Sequence, residues 1–387
     1  MDWMVPKNKL DRDQISILNK IYDGHGNYFV KGCPGTGKSV LLAHLYREYK
    51  ATHPNNRICV LTYTHALIDC IKDGLRDASL QIFTIPKFSS MATYDRSGLG
   101  WDSHWDLILV DEAQDMQPSW ADAIVRSGAR IVFFGDFKQS IYGETLNEHD
   151  FIEKFNPEQL ELGTIYRLTR STKQLVQSVF PGNLVNATVG NLVADTDIQL
   201  IKSDSVENDY KSMADKIARY ASPQRPAAVL FRHREFVLRF LRNVVSNFPR
   251  GLYLNDNLND YLRKSGSIFR FLGNGYGNFL ESDSVPIVYL MTWHSAKGLD
   301  FNTVALPAIS EKANGGRGCR GCNPMDEGPL YVALTRGRLN LFISYSKDDD
   351  CGVIRRMATC SSVRSMTYQD DQIGAVGDDN LDAQPLF

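Results

Sequence analysis

Gly32-Cys33-Pro34-Gly35-Thr36-Gly37-Lys38-Ser39 is the stretch of this chain best equipped for chemistry. Its glycines let the backbone turn tightly enough for successive N–H groups to converge on phosphate oxygens. Lys38 would reach the β- and γ-phosphates, and the Ser39 hydroxyl would ligate Mg²⁺. An apolar run, Tyr28-Phe29-Val30, precedes the loop, and a helical pattern of Leu41, Leu42, Leu45, Tyr46 and Tyr49 follows it. That order of strand, loop and helix brings the positive end of a helix to the same anion. The stretch predicts a nucleoside-triphosphate site cradled by Gly32, Pro34, Gly35, Thr36, Gly37, Lys38 and Ser39.

A second constellation fits the first. Leu107-Ile108-Leu109-Val110 runs into Asp111-Glu112-Ala113-Gln114-Asp115, a buried strand ending in acids. Asp111 would share the Mg²⁺ with Ser39, while Glu112 would orient the attacking water and take its proton. A third apolar run, Ile131–Phe134, ends in Gly135-Asp136-Phe137-Lys138-Gln139-Ser140-Ile141-Tyr142.

These residues need elements that deliver them to one place. Strands at Tyr28–Val30, Ile58–Leu61, Leu107–Val110 and Ile131–Phe134 alternate with helical patterns, as in a parallel α/β sheet, where ligands sit at the carboxyl ends of strands. A second set, Ala227–Phe231, Ile287–Met291, Val304–Leu306 and Leu341–Ser344, predicts another α/β lobe from about 151 to 350. Pro181–Ser205 has little periodicity and reads as loop. Beyond Arg364 there is no Lys or Arg, and Asp370, Asp371, Asp378, Asp379 and Asp382 make residues 351–387 read as an acidic, mobile tail.

Composition bounds the answer loosely. The 387 residues are 43% hydrophobic and 23% charged, ordinary for a globular protein with room for more than one domain. A net charge of −2 neither announces nor excludes nucleic acid, because a local basic groove suffices. No apolar run approaches membrane-spanning length and the N-terminus lacks the pattern of a secretion signal. Seven scattered cysteines suit a reducing cytoplasm. Cys319 and Cys322 form a lone Cys-x-x-Cys, better read as incidental thiols in a glycine-rich loop than as zinc ligands.

Gly135-Asp-x-x-Gln139-Ser-Ile-Tyr142 resembles motif III of the UvrD/Rep-type superfamily 1 helicases, and further stretches follow in that family's order. Leu10-Asp-Arg-Asp-Gln14 resembles the Q motif, Thr62-Tyr63-Thr64-His65 motif Ia, and Thr84-Ile85-Pro86-Lys87, weakly, motif Ib. Tyr166-Arg167 resembles motif IV, Thr292-Trp-His-Ser-Ala-Lys-Gly-Leu-Asp-Phe301 motif V, and Tyr331-Val-Ala-Leu-Thr-Arg336 motif VI.

The resemblance implies two RecA-like P-loop lobes with mainly parallel sheets, residues 1–150 and 151–350, with ATP at their interface. It gives Gln14 the adenine edge, Tyr166 the adenine face, and Asp300 the ribose. Gln139 would sense the γ-phosphate, and Arg167 and Arg336, arriving from the second lobe, would stabilise charge developing on it. Thr62, Tyr63, Thr64, Tyr142, Thr292 and His294 would grip single-stranded DNA.

Two departures stand out. After Tyr142 the chain reads Gly143-Glu144-Thr145-Leu146, where the family has an aromatic and Arg-Gly-Ala. There is also no room between Leu67 and Trp105 for an inserted domain of ordinary size, and little between Arg167 and Thr292. The first argues against tight DNA binding, and the second against processive unwinding by this chain alone. The expectation is therefore a cytoplasmic single-stranded DNA translocase, 3′ to 5′ if polarity follows the family. It would work with a protein partner such as a nuclease, in DNA processing or antiviral defence. The alternative is an ATP-switched regulatory subunit that gates a partner with little unwinding.

Overall fold

The computed structural model describes residues 4–95, 104–184, 187–190, 194–273, 275–279, 285–309, 327–346 and 352–368. Two compact units emerge, Met1–Arg167 with Asn186–Thr188, and Leu168–Val185 with Val189–Phe387.

The first unit runs α1 (Arg12–Asp23), β1 (Tyr28–Gly32), α2 (Lys38–Thr52), β2 (Ile58–Thr62), α3 (His65–Leu75), β3 (Gln81–Thr84), α4 (Ile85–Asp95), β4 (Leu107–Val110), α5 (Pro118–Arg126), β5 (Arg130–Gly135), α6 (Glu148–Phe155) and β6 (Glu158–Leu162). Its six strands lie in the order β3-β2-β4-β5-β1-β6, and every ladder among them is parallel. Alternation along each strand sends side chains to opposite faces. Val30, Val60, Leu109 and Phe134 pack with Leu18, Leu41, Leu42 and Leu45 of α1 and α2 on one face. Phe29, Leu61, Val110 and Phe133 pack with Phe88, Ile124 and Phe151 of α4, α5 and α6 on the other. Covering on both sides explains why these strands read as unbroken apolar runs.

This sheet runs on past residue 150. β6 pairs with β1 through all five of its residues, so α6 and β6 belong with the first unit, which ends at Arg167. Glu158, Gln159 and Glu161 are exposed on that edge strand, and such charge blunts an open edge. Two short strands follow, β7 (Thr164–Ile165) and β8 (Thr188–Val189), which pair with each other.

The second unit runs α7 (Arg170–Val179), β9 (Asp197–Ser203), α8 (Val206–Tyr220), β10 (Ala227–Phe231), α9 (Arg234–Val244), α10 (Asp256–Lys264), β11 (Phe269–Phe271), β12 (Val288–Thr292), β13 (Phe301–Leu306), α11 (Glu327–Leu334), β14 (Gly337–Ser346), α12 (Gly352–Ala358) and β15 (Val363–Thr367). Its seven strands lie in the order β11-β12-β10-β13-β14-β9-β15, again all parallel. The chain is thus α/β, with two parallel sheets. No helix among the described residues is long and apolar enough to cross a membrane.

Two expectations change here. The stretch Pro181–Ser205, read as loop, contains β9, which sits between β14 and β15. The supposed tail after residue 350 begins with α12 and β15. Val353, Ile354 and Met357 are buried, and β15 pairs with β9 over five positions. Cys319, Cys322 and the acids from Asp370 onward lie outside the described residues.

Met357 is fully buried. Met357→Ala is therefore expected to cost about 2–5 kcal/mol of stability, read as a lowered urea midpoint. An unchanged midpoint would mean that α12 is not part of the folded unit.

Candidate nucleotide site and nucleic-acid residues

In the first unit the strand order sets the site. β5 lies between β1 and β4, so the loop after β5 stands between the glycine-rich loop and the acids after β4. Gly37, the N-cap of α2, has φ 89°, and a methyl group there would meet Gln14 Nε2 at 2.6 Å. Glycine is required at this position both by the left-handed backbone and by the close approach of Gln14.

Lys38 is largely buried, and its ammonium donates to Gly32 O at 2.6 Å and Cys33 O at 3.2 Å. Ser39 Oγ donates to Asp111 Oδ2 at 2.8 Å, and Glu112 N donates to Asp111 Oδ1 at 3.0 Å. Burial, with the charge of Glu112 beside it, pushes the Asp111 carboxyl up to about 6, despite the opposing Ser39 hydrogen bond and Lys38 charge. A hydroxyl and a carboxylate this close are a hard-oxygen donor pair. They fit Mg²⁺, which takes one or two protein oxygens and completes its shell with phosphate and water.

Gln14 is buried as the third residue of α1 in a capping box. Its backbone N–H donates to Asp11 Oδ1, and its own Oε1 accepts from Asp11 N. Its Nε2 donates to Thr36 O at 3.1 Å, which fastens α1 to the phosphate loop. Both ends of the amide are thus engaged by protein groups. Tyr166 joins the same cluster: its N–H donates to Gly35 O at 2.8 Å and its hydroxyl to Asp11 Oδ2. Partial burial and the Asp11 carboxylate raise its phenol to about 12. Tyr166 is 41% exposed, so solvent reaches this residue beside the phosphate loop. Tyr166 and Arg167, expected from the second lobe, therefore sit in the first unit, because β6 carries the chain back to the phosphate loop.

Glu112 adopts φ 55°, an uncommon backbone for a residue with a side chain. Gln114 Nε2 donates to Glu112 Oε2 at 2.6 Å, while Gln114 Oε1 accepts from Asp136 N at 3.1 Å. Asp136 in turn accepts from Gln139 Nε2 at 2.8 Å. Gln139, the expected γ-phosphate sensor, is thereby linked through hydrogen bonds to Glu112.

The nucleic-acid candidates are largely occupied by the protein itself. The Thr62 hydroxyl is fully buried and has no hydrogen-bond partner among the described residues. Thr64 caps α3, its Oγ1 accepting from Leu67 N. Tyr63 and Tyr142 stack on each other with centroids 4.4 Å apart, and Trp120 tilts against Tyr63 at 6.1 Å. Burial raises Tyr63 to about 12 and Tyr142 further still.

In the second unit Thr292, at the end of β12, accepts from Ser295 N and shares a hydrogen bond with Ser295 Oγ, and His294 beside it is half-buried. Asp300 pairs with Arg338. Arg336, just after α11, is 2% exposed, and it donates to Leu299 O, Val332 O and Thr335 Oγ1.

The sequence reading gave no role to Asp11, Gln114, Trp120 or Arg338. The Asp-x-x-Gln spacing of a capping box marks Asp11. Nothing in the sequence marks the partners of the other three.

Two family models match this chain: the AAA domain over residues 14–145 and the UvrD-like helicase C-terminal domain over residues 254–348. F-box DNA helicase protein 1 of Schizosaccharomyces pombe is 32% identical over 193 residues, covering 48% of this chain and 19% of that protein. The chain thus spans about a fifth of that relative's length. Solved structures of the PRRSV helicase (14% identical) and of the arterivirus nonstructural protein 10 helicase (13%) align with TM-scores of 0.44 each. They cover 86% and 89% of this chain, and 54% and 63% of theirs.

The raised Asp111 carboxyl has a consequence for stability. Its ordinary value is 3.8, so between about 4 and 6 the folded chain binds the extra proton. The stability this confers is present at low pH and is lost as pH rises through 6. Without Mg²⁺ at pH 7.5, Asp111→Asn is expected to stabilise the fold by about 1–3 kcal/mol, a gain that shrinks toward pH 4. Denaturant melts across that range check it, and a variant less stable at pH 7.5 would contradict the assignment.

Proposed function

We propose that this chain, a UvrD-like superfamily 1 helicase by its two matched domains, couples ATP hydrolysis to movement along single-stranded DNA. The observation that carries the reading is the cluster around the phosphate loop, where Ser39 meets Asp111 and Glu112 is tied to the loop bearing Gln139. Lys38 exchanges its two loop carbonyls for phosphate oxygens. Tyr166 offers a ring to the base, with Gln14 beside it. Glu112 positions water and accepts its proton. Mg²⁺ held through Ser39 and Asp111 would neutralise charge on the phosphates. Gln139, Arg167 and Arg336 meet charge developing on the γ-phosphate, and Asp300 serves the ribose once it exchanges Arg338 for it.

For the DNA, the Tyr63 and Tyr142 rings, with Thr62, Thr64, Thr292 and His294, are the contact set we assign. We take the polarity as 3′ to 5′, the work as cytoplasmic, and a protein partner such as a nuclease as supplying duplex engagement, in DNA processing or antiviral defence. The short spacings around motifs Ia and IV motivate the partner.

A second reading is favoured by one observation. Thr64 and Thr292 already spend their hydroxyls on local turns, and Tyr63 is already stacked. A chain so satisfied suits an ATP-driven switch acting on a partner protein.

Steady-state ATPase assays separate the two. Single-stranded DNA is expected to raise turnover about tenfold or more, and Tyr63→Ala to remove that stimulation. Lys38→Ala should abolish hydrolysis, and Glu112→Gln should bind ATP without turning it over. Turnover indifferent to DNA but raised by a partner protein selects the switch, and turnover retained in both site variants overturns the site itself.

A further inference from the structure

We infer that Gln114 is a positioning residue, holding the Glu112 carboxylate in register with the loop that carries Gln139 and Tyr142. The inference rests on the reading that Glu112 activates water for ATP hydrolysis. Gln114 is fully buried. Its amide has one workable orientation: turned over, it would set an oxygen against the Glu112 carboxylate and an NH₂ against the Asp136 N–H. The donor end therefore fixes Glu112, and the acceptor end fixes the start of the loop after β5.

The loop returns the grip. Ser140 Oγ donates to the Gln114 backbone carbonyl at 3.3 Å and shares a hydrogen bond with Thr145 Oγ1 at 3.1 Å. Between these anchors lie Gln139, bonded to Asp136, and beyond them Tyr142, stacked on Tyr63. Gly135 is the counterpart of the arrangement. A methyl group there would stand 2.6 Å from Gln114 Oε1 and 3.3 Å from Ala113 N. A glycine at the end of β5 is what lets the amide lie across that strand. Glu112, with its left-handed backbone, presents its carboxylate to that amide.

One side chain thus connects the proton acceptor, the γ-phosphate sensor and the base of the aromatic pair. A shift of the loop after β5, whether from nucleotide at Gln139 or from nucleic acid at Tyr142, reaches Glu112 through a buried hydrogen-bonded link. That is a route by which the hydrolytic step depends on what the loop is holding.

The test uses the full chain, with turnover measured at saturating ATP and Mg²⁺ in the presence of oligo-dT, and affinity measured with a fluorescent ATP analogue. Gln114→Met keeps the length of the side chain and removes both polar ends. It is expected to lower kcat by about tenfold or more while analogue affinity stays within about threefold, because the residue acts on the reacting water and not on binding. Gly135→Ala disturbs the same amide from the other side and should give the same split, which keeps the test open if the first variant fails to melt cooperatively.

Because both changes break one link, the double variant should lose no more than about threefold beyond the worse single one. A Gln114→Met enzyme within twofold of the parent in kcat, affinity falling in step with kcat, or losses that multiply in the double variant would each overturn the assignment. A parent chain with no Lys38-dependent turnover would instead overturn the functional reading on which it rests.

Discussion

The hydrogen bond between Ser39 and Asp111 is the contact on which the first unit's chemistry depends. It joins the first turn of α2 to the end of β4, across the intervening β5. Neither residue could hold this geometry alone. Ser39 is fixed because Lys38 is anchored on the carbonyls of Gly32 and Cys33. Asp111 is fixed because its other oxygen accepts the N–H of Glu112. An ionised carboxylate this deeply buried is costly unless hydrogen-bonded and near a cation. Burial and the neighbouring Glu112 charge raise the Asp111 carboxyl in spite of the Ser39 hydrogen bond and the Lys38 charge. Such a residue is poised to gain from a cation, and the surrounding sheet must be rigid enough to keep it in place meanwhile.

That rigidity was legible in the sequence where strands are covered on both faces. Tyr28–Val30, Leu107–Val110 and Ile131–Phe134 read as apolar runs because neither face sees water, and the polar residues that end each run mark the sheet's functional edge. The strands that escaped sequence reading lack that cover or interrupt the run. β6 presents Glu158, Gln159 and Glu161 to solvent. β15, at the edge of the second unit's sheet, leaves Arg364 and Ser365 exposed. β9 hides a buried Gln199 between Ile198 and Leu200, its amide donating to Asp197. A buried polar residue that interrupts an apolar run looks, in sequence, like a loop residue.

The candidate site stood out in the sequence for a different reason. A phosphate loop needs glycines and a lysine at fixed offsets, so its chemistry is written locally. The partners of those residues are not. Gln14 was assigned to the adenine from the resemblance of its stretch to the Q motif, yet its amide faces Asp11 and Thr36, and the same Asp11 accepts from Tyr166, which lies 152 residues further along the chain. Spacing along the chain carries no record of which strand returns to which loop. The unit boundary moved to Arg167 for the same reason.

The threonines at strand ends expose a deeper ambiguity. Thr64 and Thr292 stand where a parallel strand hands over to a helix or turn, and a hydroxyl there can accept from the backbone N–H groups that the turn leaves unpaired. A phosphate bound at the same place would engage those same N–H groups. The residue types that suit one role therefore suit the other, and the motif alone cannot separate a capping threonine from a phosphate contact. The distinction lies in energy. A cap worth about 1 kcal/mol is exchanged for a nucleic-acid contact only if the charged ligand repays it, whereas the Thr62 hydroxyl, buried with no hydrogen-bond partner among the described residues, has no such bond to give up. Thr62 must instead be uncovered before it can reach a ligand, so its hydroxyl answers to movement in the fold, and those of Thr64 and Thr292 to competition for the same donors.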